Sequence, residues 1–305
     1  MDKTRIMFVF GQHGQPFGRR RKSASPKTKR YFRSAVRDFL KEEILENGRR
    51  VVVIHEFVLE PVRRFTIKLN GSRRVGVTQE DIADTQRSAS EDVGLILEAF
   101  DRGMEPGLVG RDLSKMFGYI DEVLAMNRQV PGSVKNYFEP NCPQAVYEWL
   151  KAEWMEKQIS KAVCLALVIN PGAAVEEDKG MLAAETEIMR LNRSSAQMRD
   201  QGVRDLCLTI RRLFPSLSIL VPRGLAHSSM VDLFDAGEFN IIAKKEDVEG
   251  DAEDLDNQIR LYSGPATPHS IVQYAARELE ILKNRVLGIM KARESVGHKG
   301  KVPTG

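Results

Sequence analysis

Short runs of consecutive apolar residues, each closed by a polar or turn-forming residue, recur along this chain. They occupy residues 6–10, 51–54, 164–169 and 218–221. Runs of this length without polar alternation are typical of parallel strands that are covered on both faces. The pattern therefore predicts four buried strands.

Apolar residues at helical spacing separate these runs. Residues 28–47 carry Phe32, Val36 and Phe39 on one helical face and end at an Asn-Gly pair, which commonly closes helices. Residues 180–214 show a second helical pattern before the last predicted strand. Together these patterns predict an α/β fold, with a mostly parallel sheet built from two βαβ-like halves.

The middle of the chain differs from both halves because its pattern is mostly helical and is punctuated by proline and glycine breakers. Helical spacing is clearest at residues 91–102, 113–128 and 143–162. We interpret this segment as a helical insertion that forms a cap over the site. The predicted organisation is a first half of the core at 1–75, the insertion at 76–160, a second half with a C-terminal helix at 161–294, and a disordered tail at 295–305.

Charge is concentrated locally. The formal net charge is only +4, yet residues 19–33 hold eight cations and no anion. This run is interpreted as a solvated loop before the first helix, or as a surface that holds an anionic substrate or a nucleic acid. Only Tyr31 and Phe32 in it could stack on bases, and Phe32 fits the helix core, which makes a nucleic-acid partner the less favoured hypothesis. The acidic residues 246–256 are predicted to form a solvated loop.

Cysteine usage and hydropathy indicate the compartment. Cys142, Cys164 and Cys207 are widely spaced and form no CxxC pair, which favours a reducing compartment over a zinc knuckle or a dithiol site. The first apolar run is too short for a secretory signal, and no window reaches the ~18 apolar residues of a membrane span. We expect a cytoplasmic protein without a membrane partner, and its oligomeric state stays open.

Three chemically active side chains stand where predicted strands end. His13 follows the first strand in a Gly-Gln-His-Gly turn, Glu56 follows the second, and His227 follows the last. Functional groups of parallel α/β sheets collect at the carboxyl ends of strands, so these three predict a shared site, although one strand-end histidine alone is more often a packed or solvated residue. His55 precedes Glu56, and because adjacent strand residues face opposite ways, at most one of the two points into that site.

Four short motifs, in order along the chain, carry a family resemblance. They are GQHG at 11–14, VVVIHE at 51–56, MRDQGVRDLCLTI at 198–210 and ILVPRGLAH at 219–227. The order resembles the superfamily that contains the erythromycin esterases, the TIKI proteases, the TraB pheromone-shutdown proteins and the ChaN haem-binding proteins.

The resemblance adds a helical Arg-Asp pair to the candidate site. Arg199-Asp200 fits the third motif, and Arg204-Asp205 offers a competing registration. The simpler alternative for either pair is an exposed position on a charge-rich helix. In the first motif, Gln12 stands where the family has an acid.

The function implied by the resemblance is hydrolysis of an ester or amide bond in a small molecule or a peptide. His13, Glu56 and His227 would suffice as ligands for a divalent metal with an open water position. Without a metal, one histidine would act as general base on water, oriented by Glu56. Arg199 would pair with a carboxylate or stabilise an oxyanion, and Asp200 would orient a histidine.

Substrate contacts are predicted at Gln12, Arg19 and Arg20. The missing acid at Gln12 favours an alternative, a non-catalytic module that binds haem or another anionic ligand on the same fold. The chain has no GxxxxGK[ST] motif, no GxGxxG after the first strand and no GxSxG. These absences disfavour a nucleotide hydrolase, a dinucleotide dehydrogenase and a classical serine hydrolase.

Overall fold

A parallel β-sheet forms the centre of the computed structural model, which describes residues 3–11, 25–59, 110–112, 118–140, 142–247 and 266–298. The strands are β1 (Thr4–Gly11), β2 (Val51–His55), β3 (Phe57–Leu59), β4 (Gly110–Asp112), β5 (Val134–Phe138), β6 (Ser218–Gly224) and β7 (Phe239–Lys245). Five of them pair in the order β5-β2-β6-β1-β7, all parallel, while β3 and β4 form a separate antiparallel pair. The predicted α/β fold is confirmed.

The position of β6 between β1 and β2 decides which strand ends meet. Gly11 of β1 lies opposite Gly224 of β6, and Val53 of β2 lies opposite Leu220. Because all three strands run the same way, their carboxyl ends reach one edge of the sheet. Residues far apart in sequence are thereby brought together at that edge.

The helices are α1 (Pro26–Leu40), α2 (Ile120–Gln129), α3 (Pro143–Ile169), α4 (Lys179–Leu213) and α5 (Pro268–His298). Ser25 caps α1, since its Oγ accepts a hydrogen bond from the backbone N–H of Thr28. A π-helical turn, Lys41–Glu46, extends α1 to the predicted Asn-Gly stop, where Gly48 has a φ of 62°. A positive φ of this size suits glycine.

Helix α4 packs on the sheet through a short apolar stripe on one of its faces. Val203, Cys207 and Ile210 belong to one buried apolar cluster with Ile219 and Val221 of β6. This packing anchors the helix one turn after Arg199 and Asp200, which places that turn towards the carboxyl edge of the sheet.

One predicted strand was wrong, and two strands of the five-stranded sheet, β5 and β7, were not predicted. Residues 164–169 form the end of α3, because a short apolar run does not distinguish a strand from a helix and this run continues a helix without a breaker. The strands β5 and β7 lie at the two edges of the sheet. Edge strands are partly solvated, and the sequences VKNYF and FNIIAKK contain no long apolar run.

The chain divides into two compact units. The first comprises Met1–Tyr147 and Ser195–Gly264 and contains the five-stranded sheet; the second comprises Glu148–Ser194 and Pro265–Gly305. The second unit has its own apolar cluster. Its buried members include Ile159, Val163, Leu167, Ile188, Leu191 and Leu279.

Several predictions concern residues outside the described ranges. These are the helix at 91–102, the boundary at 75/76, residues 19–24 of the basic run, residues 248–256 of the acidic stretch and residues 299–305 of the tail. Within the basic run, Phe32 is fully buried, as expected for helix core. In the described part of the chain, no helix is long and apolar enough to cross a membrane.

Candidate functional site

Six charged side chains meet in a line near the carboxyl edge of the sheet and alternate in sign. In order of contact they are Asp200, His227, Glu56, Arg199, Glu139 and Arg223, and we call them the charge row. All six belong to the first compact unit. Five are buried and Arg199 is partly buried. Alternation lets each buried charge contact its opposite, which is what makes burial of ionised groups tolerable.

Three members come from the ends of adjacent parallel strands. Glu56 directly follows β2, Glu139 directly follows β5, and Arg223 is the penultimate residue of β6. The strand order β5-β2-β6 makes these ends neighbours. The remaining members come from α4 and from the 3-10 helix (Leu225–Leu233) that follows β6.

His227 lies between two carboxylates. Its Nδ1 is 2.7 Å from Oδ1 of Asp200, and its Nε2 is 3.4 Å from Oε1 of Glu56. Burial acts to lower the pKa of His227, but the charges of Asp200 and Glu56 and their hydrogen bonds outweigh it and raise that pKa to about 9. The imidazole is therefore protonated at neutral pH and can donate a proton from Nε2.

Glu56 is held from two sides. Its Oε1 accepts a hydrogen bond from Nη2 of Arg199 at 3.1 Å, and its Oε2 accepts one from the backbone N–H of Gly224 at 3.1 Å. The Gly224 contact ties the carboxylate to the end of β6. Glu56 thus faces His227 with little freedom to turn away.

Glu139 joins the two guanidinium groups. Its Oε1 accepts a hydrogen bond from Nε of Arg199 at 2.8 Å, and its Oε2 accepts one from Nη1 of Arg223. Burial acts to lower the pKa of Arg199, but the negative charges of Glu139 and Glu56 hold that pKa above its ordinary value. With His227 protonated, three cations balance three anions, and the row carries no net charge.

Glu139 and Arg223 were not predicted from the sequence as site residues. Arg223 could have been recognised from the sequence, because it is a lone cation in the otherwise apolar or small run Ser218–Gly224. The structure buries every position of this run. Glu139 was harder to recognise, since the strand before it is mostly exposed and was not predicted. Only the pairing of β5 with β2 reveals that Glu139 is a strand-end residue beside Glu56.

Of the two Arg-Asp pairs on α4, the one at 199 and 200 belongs to the charge row. Asp200 is buried against His227, so the alternative of an exposed surface pair is wrong for it. Asp205 is exposed and contacts Gln201 and Arg204 on its own helix. The competing registration at 204 and 205 therefore contributes nothing to the charge row.

His55 and Glu56 point to different surroundings, as expected for adjacent residues. The His55 ring lies between Oη of Tyr119, 2.9 Å from Nδ1, and Oδ1 of Asn136, 2.8 Å from Nε2. It stacks on Tyr119 in the buried interior. His55 is thus a structural residue, and Glu56 is the member of the pair that enters the site.

The ring of Phe32 explains why a glycine ends the first strand at position 11. A Cβ at this position would overlap the ring of Phe32, so no larger residue fits without displacing that ring. His13, Gln12, Arg19 and Arg20 lie outside the described residues.

The predicted metal site requires a third ligand. Nε2 of His227 and Oε1 of Glu56 are 3.4 Å apart, a separation compatible with two ligands at roughly 2 Å from one ion. The guanidinium of Arg199 donates to the same carboxylate oxygen, and its positive charge opposes a dication there. Within the described ranges, no group of three His, Cys, Asp or Glu side chains could hold a metal ion. The described residues therefore do not complete the predicted set, and His13 stays a prediction.

Comparisons with known proteins add no relative. No protein-family model, no curated protein and no solved structure matches this chain. The family resemblance of the four motifs stays a prediction.

Proposed function

We propose that this protein is a hydrolase that cleaves an ester or amide bond of a small molecule or peptide. The observation that carries the proposal is the buried array in which Asp200, His227 and Glu56 contact one another in sequence. Such an array holds an imidazole in one orientation and offers Nε2 as the atom that exchanges protons.

The protonation of His227 assigns the proton transfers. Water attacks the carbonyl carbon, the C–O or C–N bond breaks, and Nε2–H of His227 protonates the departing oxygen or nitrogen. Glu56, 3.4 Å away, accepts the proton of the attacking water and returns it to Nε2. The net reaction adds OH to the acyl group and H to the leaving group. Asp200 fixes Nδ1, and Arg199 holds Glu56 in place through the hydrogen bond to Oε1.

The test is hydrolysis of p-nitrophenyl esters and peptide p-nitroanilides by the purified chain. We expect Asp200→Asn and His227→Gln to lower kcat/KM by roughly 10²–10⁴-fold, because each removes part of the proton-transfer array. Asp205→Asn is the matched control on the same helix, since Asp205 lies outside the charge row, and it should match the wild type. Absence of turnover across both substrate panels, or equal rates in wild type and His227→Gln, would contradict the proposal.

Dependence on a divalent metal is tested separately. Activity is measured before and after dialysis against EDTA, and the metal content of both samples is determined by mass spectrometry. Loss of activity on chelation and its return with one metal would support the ligand set that includes His13. Unchanged activity would favour the route through His227 and Glu56 alone.

A non-catalytic ligand-binding module is the second candidate. It is favoured by the complete pairing of His227, Glu56 and Arg199 with opposite charges, since a paired array is stable without turnover. Haem as the ligand would require a Soret band on reconstitution that His227→Ala removes. A nucleic-acid partner has less support, because full burial of Phe32 removes one of the two rings that could stack on bases.

A further inference from the structure

Arg223 ends the charge row with two of its three guanidinium nitrogens unpaired among the described residues. Its side chain is fully buried, and Nη1 donates to Glu139. The Nε and Nη2 atoms are buried and have no hydrogen-bond partner in the part of the chain that the structure describes. These two N–H groups point the same way along one edge of the guanidinium, the geometry that matches two oxygens of a carboxylate or phosphate.

Arg199 displays the same edge in its occupied form. Its Nε donates to Glu139 and its Nη2 donates to Glu56. The corresponding edge of Arg223 is more deeply buried and has no acceptor among the described residues. A buried cation with two adjacent unpaired N–H groups carries a free-energy penalty that an oxyanion would remove.

The order of charges in the row also favours an anion beside Arg223. The row begins with the carboxylate of Asp200 and finishes with the guanidinium of Arg223. Within the described ranges, Glu139 is the carboxylate that contacts Arg223, and Arg223 shares it with Arg199. The Arg223 end is therefore the positive end, and a further anion there would continue the alternation.

A second incompletely paired arginine lacks these features. Arg5 has one buried nitrogen, Nε, without a partner among the described residues, whereas Arg223 has two. The Arg5 side chain is partly exposed, and its Nη1 contacts Glu42 and Glu43. One unpaired N–H near solvent can be met by water. The two unpaired N–H groups on the buried edge of Arg223 can instead bind two oxygens of one anion.

We infer that the Nε–Nη2 edge of Arg223 binds an oxyanion, a carboxylate or phosphate group carried by the substrate. This inference rests on the proposed function, because it places the anionic group of the substrate beside the proposed catalytic array. Arg223 would hold the substrate, and His227 would act on the bond to be cleaved.

Equilibrium binding of two probes, sodium phosphate and sodium acetate, tests the inference without turnover. Each is titrated into the full chain at constant ionic strength, with sodium chloride as the reference, and binding is followed by calorimetry. We expect saturable binding of at least one probe, weakened roughly tenfold or more in Arg223→Lys, because an ammonium cannot present the two-pronged edge. Preference between the probes identifies the substrate group as carboxylate or phosphate.

Arg212→Gln is the matched control, since Arg212 is an exposed cation at the end of α4 and should leave binding unchanged. If Arg223→Lys does not fold, the pair Glu139→Gln with Arg223→Gln removes both charges together. A wild-type crystal soaked in selenate gives a readout that needs no variant, because its anomalous signal should lie within hydrogen-bond distance of Nε and Nη2.

Absence of saturable binding in the wild type, equal binding by Arg223→Lys, or selenate bound only elsewhere would overturn the inference. These outcomes are independent of hydrolysis. A protein that binds phosphate through Arg223 but cleaves no ester or amide would contradict the proposed function alone.

Discussion

Nδ1 of His227 lies 2.7 Å from Oδ1 of Asp200, in a buried contact between the segment after the last predicted strand and the helix that precedes it. This contact fixes the ring so that Nε2 faces Glu56 at 3.4 Å. An imidazolium between two carboxylates has consequences for stability, for the pH dependence of activity and for the tolerance of the surrounding residues.

The stability of the fold should decrease at alkaline pH because of His227. The pKa of His227 rises from 6.5 to about 9 on folding, so the folded state binds the proton more tightly than the unfolded state. The stabilisation is complete below about pH 6.5 and is lost as pH rises through about 9, at a cost of about 3 kcal/mol. Urea unfolding between pH 6 and 9.5 measures this change in the free energy of unfolding.

His227→Gln should flatten that dependence, since glutamine does not titrate. His269→Gln is the control, because His269 is an exposed residue near the start of α5. The same alkaline loss in wild type and His227→Gln would show that another group is responsible.

The pH profile of hydrolysis should report the same group. With the imidazolium of His227 as proton donor, kcat/KM should fall above about pH 9 as the proton is lost. A profile measured with a p-nitrophenyl ester across pH 6 to 10 tests this. A rise in kcat/KM through pH 9 would mean that neutral His227 acts as the base, and the direction of proton transfer proposed above would be reversed.

Glu139→Gln should destabilise the protein strongly, because it leaves two guanidinium groups without their shared carboxylate. Removing one partner of a buried ion pair costs about 3–5 kcal/mol. The control is Glu238→Gln, which breaks the partly exposed pair with Arg211 and should cost about 0–1 kcal/mol. Urea unfolding of both variants at pH 7 gives the comparison. Similar losses for the two would mean that Glu139 contributes no more than a surface charge.

Gly11→Ala should be destabilised by about 1–3 kcal/mol, because its methyl group overlaps the Phe32 ring and the packed interior cannot yield freely. Phe32→Leu creates space beside Gly11, so the double variant should lose less than the sum of the two single losses. Thermal or urea unfolding of the two single variants and the double variant, compared with the wild type, gives the four free energies of unfolding of this double-mutant cycle. Additive losses would place the strain of Gly11→Ala elsewhere.

The sequence predicted correctly the strands that are buried on both faces. The runs at 6–10, 51–54 and 218–221 became β1, β2 and β6, because strands covered on both faces must be apolar throughout. Glu56 and His227 were recognised as strand-end residues for the same reason. The strand predicted at residues 164–169 was wrong, because a short apolar run fits a buried helix equally well.

The rest depended on contacts between distant segments. The strand β5 is an exposed edge strand with no apolar run, so the position of Glu139 beside Glu56 was invisible before the sheet was assembled. Arg223 lies within the last motif, yet its contacts depend on Glu139, which lies 84 residues earlier.

By itself, the sequence determined the α/β class, the three central strands and the strand-end positions of Glu56 and His227, since hydrophobic period and strand ends are local properties of the chain. Arg199 and Asp200 became candidates only through the family resemblance. The tertiary structure decided that β6 lies between β1 and β2, that β5 completes the edge, and that six charges form one alternating row. Strand order and ion pairing arise from packing between remote segments, and no local pattern encodes which buried charge will meet which.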